Sequence, residues 1–325
     1  NWVIGAVDGT GRNESTGASM EKVTSTWDWS ASLVTSFDGN DSLDVVLESG
    51  EGDNTLNEMD LAETGSSVNV TSMSYTRSIG DYVTVYFADG GAGSALFNTA
   101  CAYEGQTNVL DDCANNMTGM DLGLGTAFAA SVDVGNGLAL SVGYEGEGNN
   151  ADGLMTEQGV DAYAAQVSWT KDNYGVSYTF MHSENYTTAD VGNATNSPAE
   201  ARTAGETDYS AFNAYFQPDL EGFPTISVGL ELAHDNSVAN DNADETSHYF
   251  IGAQFDNLGN GTLGASVGSK EPTVENGDVE TQWEAYYAYN YADGITITPV
   301  IYVKDNTAAN SDDETGMILK TSFEF

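Results

Sequence analysis

A chain of 325 residues has room for one large domain or two small ones. Its 8 Lys+Arg stand against 50 Asp+Glu, a formal net charge of −42, which excludes nucleic acid as a partner because phosphate neutralisation needs Lys and Arg. Such self-repulsion would strain a compact soluble fold. With 36 Gly, 17 Tyr, only 5 Pro and 40% apolar residues, the chain reads as many strands with tight turns, not as acidic disorder.

Trp2–Val7 is a short apolar first strand, and Thr10–Glu21 is polar loop. Val23–Phe37 then alternates: Val23, Trp27, Trp29, Ala31, Leu33 and Phe37 on one face, Thr24, Thr26, Asp28, Ser30, Ser32 and Ser36 on the other. That is the period of a strand with one apolar and one polar face. The turn Asp38–Asp41 leads into Leu43–Leu47, whose partners on the polar face are Asp44 and Glu48. Glu51–Ser66 is an acidic loop, and Val68–Ser78 and Tyr82–Ala88 flank the turn Ile79–Asp81.

The longest gap follows, Asp89–Thr118, holding both cysteines, Cys101 and Cys113. A connection of this length without periodicity is functional or disordered, and the cysteine pair argues against disorder. Two cysteines in one loop and none elsewhere point to a single disulfide made in an oxidising compartment; two buried free thiols are the alternative. The loop is expected to fold back into the lumen of a β-barrel and narrow it.

Alternation resumes in Gly119–Val134 and Leu138–Tyr144, joined by Gly135–Gly137. Val160–Thr170 and Tyr174–Glu184 pair around Lys171–Asn173, and Thr188–Glu206 is loop. Tyr209–Gln217 and Phe223–Ala233 flank Pro218–Gly222, while His248–Phe255 and Thr262–Gly268 flank Asp256–Asn260. Gln282–Tyr291 turns at Ala292–Gly294 and returns as Ile295–Val303, and Met317–Phe325 is the last strand. The count is about sixteen strands of roughly nine to twelve residues, enough for a tilted strand to cross a bilayer. Connections alternate short and long throughout, the rhythm of an all-β, sixteen-stranded antiparallel transmembrane barrel. No apolar run reaches the roughly 18 residues of a membrane-crossing helix. Residues 1–325 are read as one barrel domain, and the absence of a signal-peptide pattern at Asn1 suggests a mature or trimmed form.

The cysteine loop is the third long one, where trimeric general porins keep their constriction loop between strands five and six. Phe325, with Phe323 on the same face, resembles the terminal aromatic motif that outer-membrane assembly machinery reads. More narrowly, ALFNTAC (Ala95–Cys101), LDDC (Leu110–Cys113) and ILKTSFEF (Ile318–Phe325) resemble the major porins of cyanobacterial outer membranes, marine picocyanobacteria especially. The resemblance in architecture covers the whole chain, and these motifs only short stretches. It implies a homotrimer in outer-membrane lipid passing small hydrophilic solutes. Two features depart from the pattern. The amino-terminal S-layer homology domain and coiled coil of those porins are not in this stretch, so no cell-wall tether is implied. The dense basic ladder of enteric porins is also missing.

Catalytic motifs do not survive inspection. GNGTLG (Gly259–Gly264) spans a turn between strands and opens no helix, so the dinucleotide reading fails. GASVG (Gly264–Gly268) lies inside a strand and not on a strand-to-helix elbow. His182, His234 and His248 have no ligand spacing. No enzyme and no cofactor are expected. The acidic stretches Asn240–Glu245 and Asp312–Glu314 could hold Ca²⁺ or Mg²⁺, but a solvated, salt-adapted surface is the simpler reading.

The expectation is therefore a porin preferring cations. Strand parity puts Asp28, Asp44, Glu48, Glu145, Glu231 and Glu284 on the lumen wall, with Lys22, Lys304 and Lys320 as sparse counter-charges. Glu104, Asp111 and Asp112 sit on the constriction loop. A narrow passage lined by one sign of charge concentrates the opposite ion. Two other readings stay open. One is a sugar- or iron-species-specific channel with Tyr82, Tyr86 and Tyr286 as aromatic lining; the other is a secreted acidic all-β binding protein or adhesin. Parity sends Phe325, Phe323 and Leu319 to lipid and Lys320 to the lumen. Deleting Phe325 should lower the amount of folded protein in the outer membrane, while Lys320→Ala should leave it unchanged. Normal assembly without Phe325 would count against the terminal motif.

Overall fold

The computed structural model describes residues 1–8, 22–52, 56–148, 153–156, 159–187, 203–220, 222–236, 244–274, 277–305 and 313–325. In chain order the strands are β1 (Trp2–Asp8), β2 (Lys22–Thr35), β3 (Asp41–Gly50), β4 (Asn69–Ile79), β5 (Val83–Asp89) and β6 (Thr126–Gly135). Then come β7 (Leu138–Gly146), β8 (Asp161–Lys171), β9 (Tyr174–Thr187), β10 (Thr203–Phe216), β11 (Thr225–Asp235) and β12 (Glu245–Phe255). The last are β13 (Gly261–Ser269), the two-residue β14 (Thr273–Val274), β15 (Thr281–Ala292), β16 (Ile295–Lys304) and β17 (Glu314–Phe323). Among the described residues the only helical element is one turn of 3₁₀ helix, Asn57–Met59.

Each long strand pairs antiparallel with its neighbour in sequence, and β1 closes the ring by pairing with both β17 and β2. The register runs Trp2↔Thr321 on one side and Trp2↔Trp27 on the other. Apart from β14, which adds a short bridge to β12, the ring is a closed sixteen-strand antiparallel barrel. Closure leaves no strand edge open to pair with another chain.

All seven short turns fall at one end of the ring, as the alternation of connections requires. Turn chemistry is local: between β6 and β7, Asn136 and Gly137 both take positive φ, 57° and 82°, the pattern of a type I′ hairpin. Only small or amide side chains accept that backbone without strain.

Every strand has two unlike faces. One carries large apolar side chains open to the surroundings, among them Trp29, Leu33, Phe87, Val142, Trp169, Phe212, Ile251, Trp283 and Leu319. The alternate residues form a polar face of small, hydroxyl, amide and carboxyl side chains. Along β8 to β12 this polar face is buried almost without a break: Ala162, Ala164, Gln166, Ser168, Ser177, Thr179, Ala211, Asn213, Ser227, Glu231, His248 and Gln254. The apolar core sits on this same side, where Val3, Val7, Val300, Tyr302 and Ile318 meet Leu56, Met59, Leu110, Cys113 and Ala114 from two long connections.

Three boundaries differ from the sequence reading. Gly119–Leu124 alternates in sequence but is not strand: β6 starts at Thr126, so the cysteine connection spans 90–125. The backbone N–H groups of Leu122 and Leu124 bond to a side chain instead of a ladder, which is why the apolar alternation there misleads. β9 and β10 are also longer than their apolar patterns, reaching Thr187 and starting at Thr203; the loop between them, 188–202, lies outside the described residues. So do all of Thr10–Glu21 and part of the acidic stretches Asn240–Glu245 and Asp312–Glu314.

Candidate functional site

Connection 90–125 lies flat against the polar face of the wall, and its backbone is read by wall side chains strand by strand. Gln166 on β8 accepts from Asn98 N at 2.7 Å, Ser177 on β9 from Ala100 N at 2.9 Å, Ser227 on β11 from Ala102 N at 3.0 Å. Gln254 on β12 then accepts from Glu104 N at 2.9 Å. Alternate residues of the loop thus bond in turn to β8, β9, β11 and β12, as an extended segment crossing the wall does. On the way back, Asn213 on β10 donates to the Cys113 carbonyl at 2.8 Å.

Three wall carboxylates carry most of the remaining hydrogen bonds. Glu284 on β15 accepts from Tyr103 Oη at 2.8 Å and from the N–H groups of Gln106 and Thr107 at 3.1 and 2.9 Å. Glu231 on β11 accepts from Met117 N at 3.1 Å, and from Thr118 N and Oγ1, each at 2.8 Å. Glu145 on β7 accepts from Leu124 N at 2.9 Å and, at longer range, from Leu122 and Gly93 N. Loop backbone has no ladder of its own, so buried N–H groups need such acceptors. Hydrogen bonds to a charged partner are worth about 1.5–3 kcal/mol each.

These three glutamates therefore differ from the sequence expectation in one respect. Parity puts them on the polar face, as expected, but Glu145, Glu231 and Glu284 are only 0, 3 and 1% exposed, because the loop covers them. They hold the loop and do not contribute open charge to a wall. Tyr86 and Tyr286 are likewise buried, at 9 and 3%, and Tyr286 packs edge-on against Tyr103. Tyr82 stands exposed at the turn before β5. The aromatic lining that would favour a substrate-specific channel is thus covered or at the rim.

The polar face of β2 to β4 is different. Ser30 and Ser32 are exposed, and Ser42, Asp44, Glu48, Ser72, Ser74 and Thr76 are half-exposed. Asp28 lies on the same face beside the amino-terminal ammonium, 3.3 Å away. Lys22 is exposed on that face, and Lys320 shares its face with Val3 and Thr298, its register partners. Lys304 is not a free counter-charge: it is ion-paired with Glu58.

On the loop, Glu104 and Asp111 are exposed and Asp112 is half-buried, its Oδ1 accepting from Ala114 N at 2.8 Å. Although the Asp111 side chain reaches solvent, partial desolvation by the surrounding wall and loops, then the charges of Asp112, Asp60 and Glu284, push its carboxyl up to about 7. Asp112 is also pushed up to about 7, by burial and against the Ala114 N–H, with Glu231 adding to the rise. Cys101 and Cys113 are bonded, with Cα atoms 6.3 Å apart, and the crosslink spans Asp111 and Asp112. Among the described residues no group of three His, Cys, Asp or Glu is placed to hold a metal ion.

Close approach of the loop depends on glycines in the wall. A Cβ at Gly229 would lie 1.8 Å from the Cys113 carbonyl oxygen, and one at Gly143 would lie 2.2 Å from that of Gly93. Glycine inside a strand marks such an approach of another backbone, the one sequence signal that could have revealed the covered arc. Gly229→Val should lift the loop, at a cost of about 1–3 kcal/mol for overpacking. Protease should then cut within 90–125 while the ring keeps its strand content by circular dichroism; unchanged loop cleavage would contradict this contact.

No protein-family model matches the chain, and no curated protein matches it. Among solved structures it is similar to Pseudomonas putida OprB in a high-pH structure, at 13% identity and a TM-score of 0.68, covering 100% of this chain and 92% of that one. Engineered variants of the Rh. blastica porin match at 12 to 13% identity, with TM-scores of 0.52 and 0.54 and 98% of their length covered. At this level of identity the likeness is one of fold: the chain folds as a closed barrel of the porin kind.

Proposed function

We propose that the chain is an outer-membrane channel for passive diffusion of small hydrophilic solutes, with a preference for cations. The observation that carries this reading is the asymmetry of the polar face, which the loop covers from β7 to β15 and leaves open along β2 to β4. In a closed ring with an apolar exposed face, the apolar side meets lipid and the polar side encloses water. The loop then folds into the lumen and narrows it, and the passage runs between the loop and the hydroxyl-rich arc. Fold neighbours that are porins support the reading.

Cation preference follows from which charges stay open. Glu104, Asp111 and Asp112 stand on the loop side and Asp44 and Glu48 on the arc, against Lys22 and Lys320, while Asp28 is paired with the amino-terminal ammonium. A passage with such a balance raises the local cation concentration. The disulfide fixes the segment that carries Asp111 and Asp112. Assembly as a homotrimer, and kinship with cyanobacterial porins, belong to the same proposal and rest on the resemblance of loop order and of the Ala95–Cys101 and Leu110–Cys113 motifs.

In planar bilayers, reversal potentials under a salt gradient should show cation preference that shrinks as salt rises, since screening length falls to about 3 Å at 1 M. Anion preference at low salt would contradict the reading. The preference should also depend on pH. Carboxyls pushed up to about 7 are neutral below that pH and charged above it, so selectivity should rise from pH 6 to pH 8. Asp111→Asn with Asp112→Asn should flatten this rise, whereas Cys101→Ser with Cys113→Ser should keep the charge and add current noise. A pH response that survives loss of both aspartates would place the titrating groups elsewhere.

A further inference from the structure

Glu51–Ser66 reads in the sequence as an acidic loop, yet residues 56–59 are among the most buried of the molecule, Asn57 excepted. Leu56 and Met59, 1 and 4% exposed, join the cluster built by β1, β16 and β17 with Leu110 and Cys113 of the cysteine loop. Between them Glu58 is 3% exposed. Its carboxylate pairs with Lys304 on β16 and accepts from Gln282 Nε2 on β15 at 2.9 Å. Its carbonyl accepts from Asn108 N at 3.0 Å, tying this connection to the cysteine loop. Met59 is followed by Asp60, whose left-handed φ of 44° turns the chain at once, leaving Asp60 exposed. Leu110 is followed by Asp111, also exposed. Two anchors in one apolar cluster are therefore each followed by an exposed carboxylate, on two different loops, close enough for the charge of one to act on the other.

We propose that 56–61 is a second jaw of the passage, clamped by the Glu58–Lys304 pair, and that Asp60 is a selectivity-determining residue acting with Asp111 on small cations. This rests on the channel reading above. The charged groups that act on Asp111 are Asp112 on its own loop, Asp60 on the second and Glu284 on β15. Asp60 is among those that hold the Asp111 carboxyl up. Glu58 is a positioning residue and touches no permeant ion.

The test is single-channel reversal potential in planar bilayers from pH 5 to pH 9 at low salt, on the full chain. Asp60→Asn should lower the cation-to-anion permeability ratio roughly twofold at pH 8, as Asp111→Asn does. It should also move the midpoint of the pH response down, by about half a unit, because a neighbouring negative charge is gone. Asp133→Asn removes the same charge at the short-turn end of β6 and should move neither quantity. Glu58→Gln should lower the ratio and add open-channel noise with Asp60 still present. Asp60 is exposed and its variant needs no refolding of the cluster, so the test does not depend on Glu58→Gln folding. If Asp60→Asn behaves as Asp133→Asn while Asp111→Asn lowers the ratio, the second jaw is overturned and the channel reading stands. If the unmodified chain carries no current, the channel reading fails and takes this inference with it.

Discussion

The arrangement depends on burying three wall carboxylates and satisfying them with loop backbone. Glu145, Glu231 and Glu284 stand on β7, β11 and β15, and each accepts several hydrogen bonds from connection 90–125. A buried carboxylate without donors is very costly, and so is a buried N–H without an acceptor. Each side therefore fixes the other. The ring supplies rigid acceptors at fixed spacing, and an irregular segment with no ladder of its own acquires a single course across half of the wall. The many short side chains on this face, Ala162, Ala164, Ser168, Ser177, Ala211 and Ser227, follow from this, since they leave space for a second layer between the longer side chains that bond it.

Much of the ring is legible in the sequence because alternation and turn chemistry are local. Trp27, Trp29 and Leu33 against Thr26, Asp28 and Ser30 fix one strand's faces whatever lies beyond them. The closing strand, expected over Met317–Phe325 and found over Glu314–Phe323, reads the same way. What alternation cannot reveal is whether a face is covered. Glu145 and Asp44 look alike in sequence, each a carboxylate among small polar residues on a strand. Only the loop's path makes the first a buried anchor and leaves the second open. For the same reason Gly119–Leu124 passes for strand, and Leu56, Met59 and Glu58 pass for an acidic loop, since their partners are far away in sequence.

The net charge of −42 also takes on a structural meaning. Few cations are available, and among the described residues the buried one is spent inside the fold, Lys304 on Glu58. Arg77 pairs with Asp38 and Asp41 near a turn, and Lys270 with Glu280. Acids without such partners remain on the two loops and on the β2–β4 arc, and their charge is the property that the proposed channel uses.

The loop covers one part of the polar face and leaves another open, and thiol accessibility measures this difference most directly. Both native cysteines are in the disulfide, so a single introduced cysteine reports without background. Ser32→Cys on β2 lies on the open arc, and Ser168→Cys on β8, 1% exposed, lies on the covered part. A hydrophilic thiol reagent added to an open channel should react quickly at position 32 and reduce the current, and should leave position 168 unmodified. Equal reaction at both positions, or reaction at 168 alone, would contradict the account.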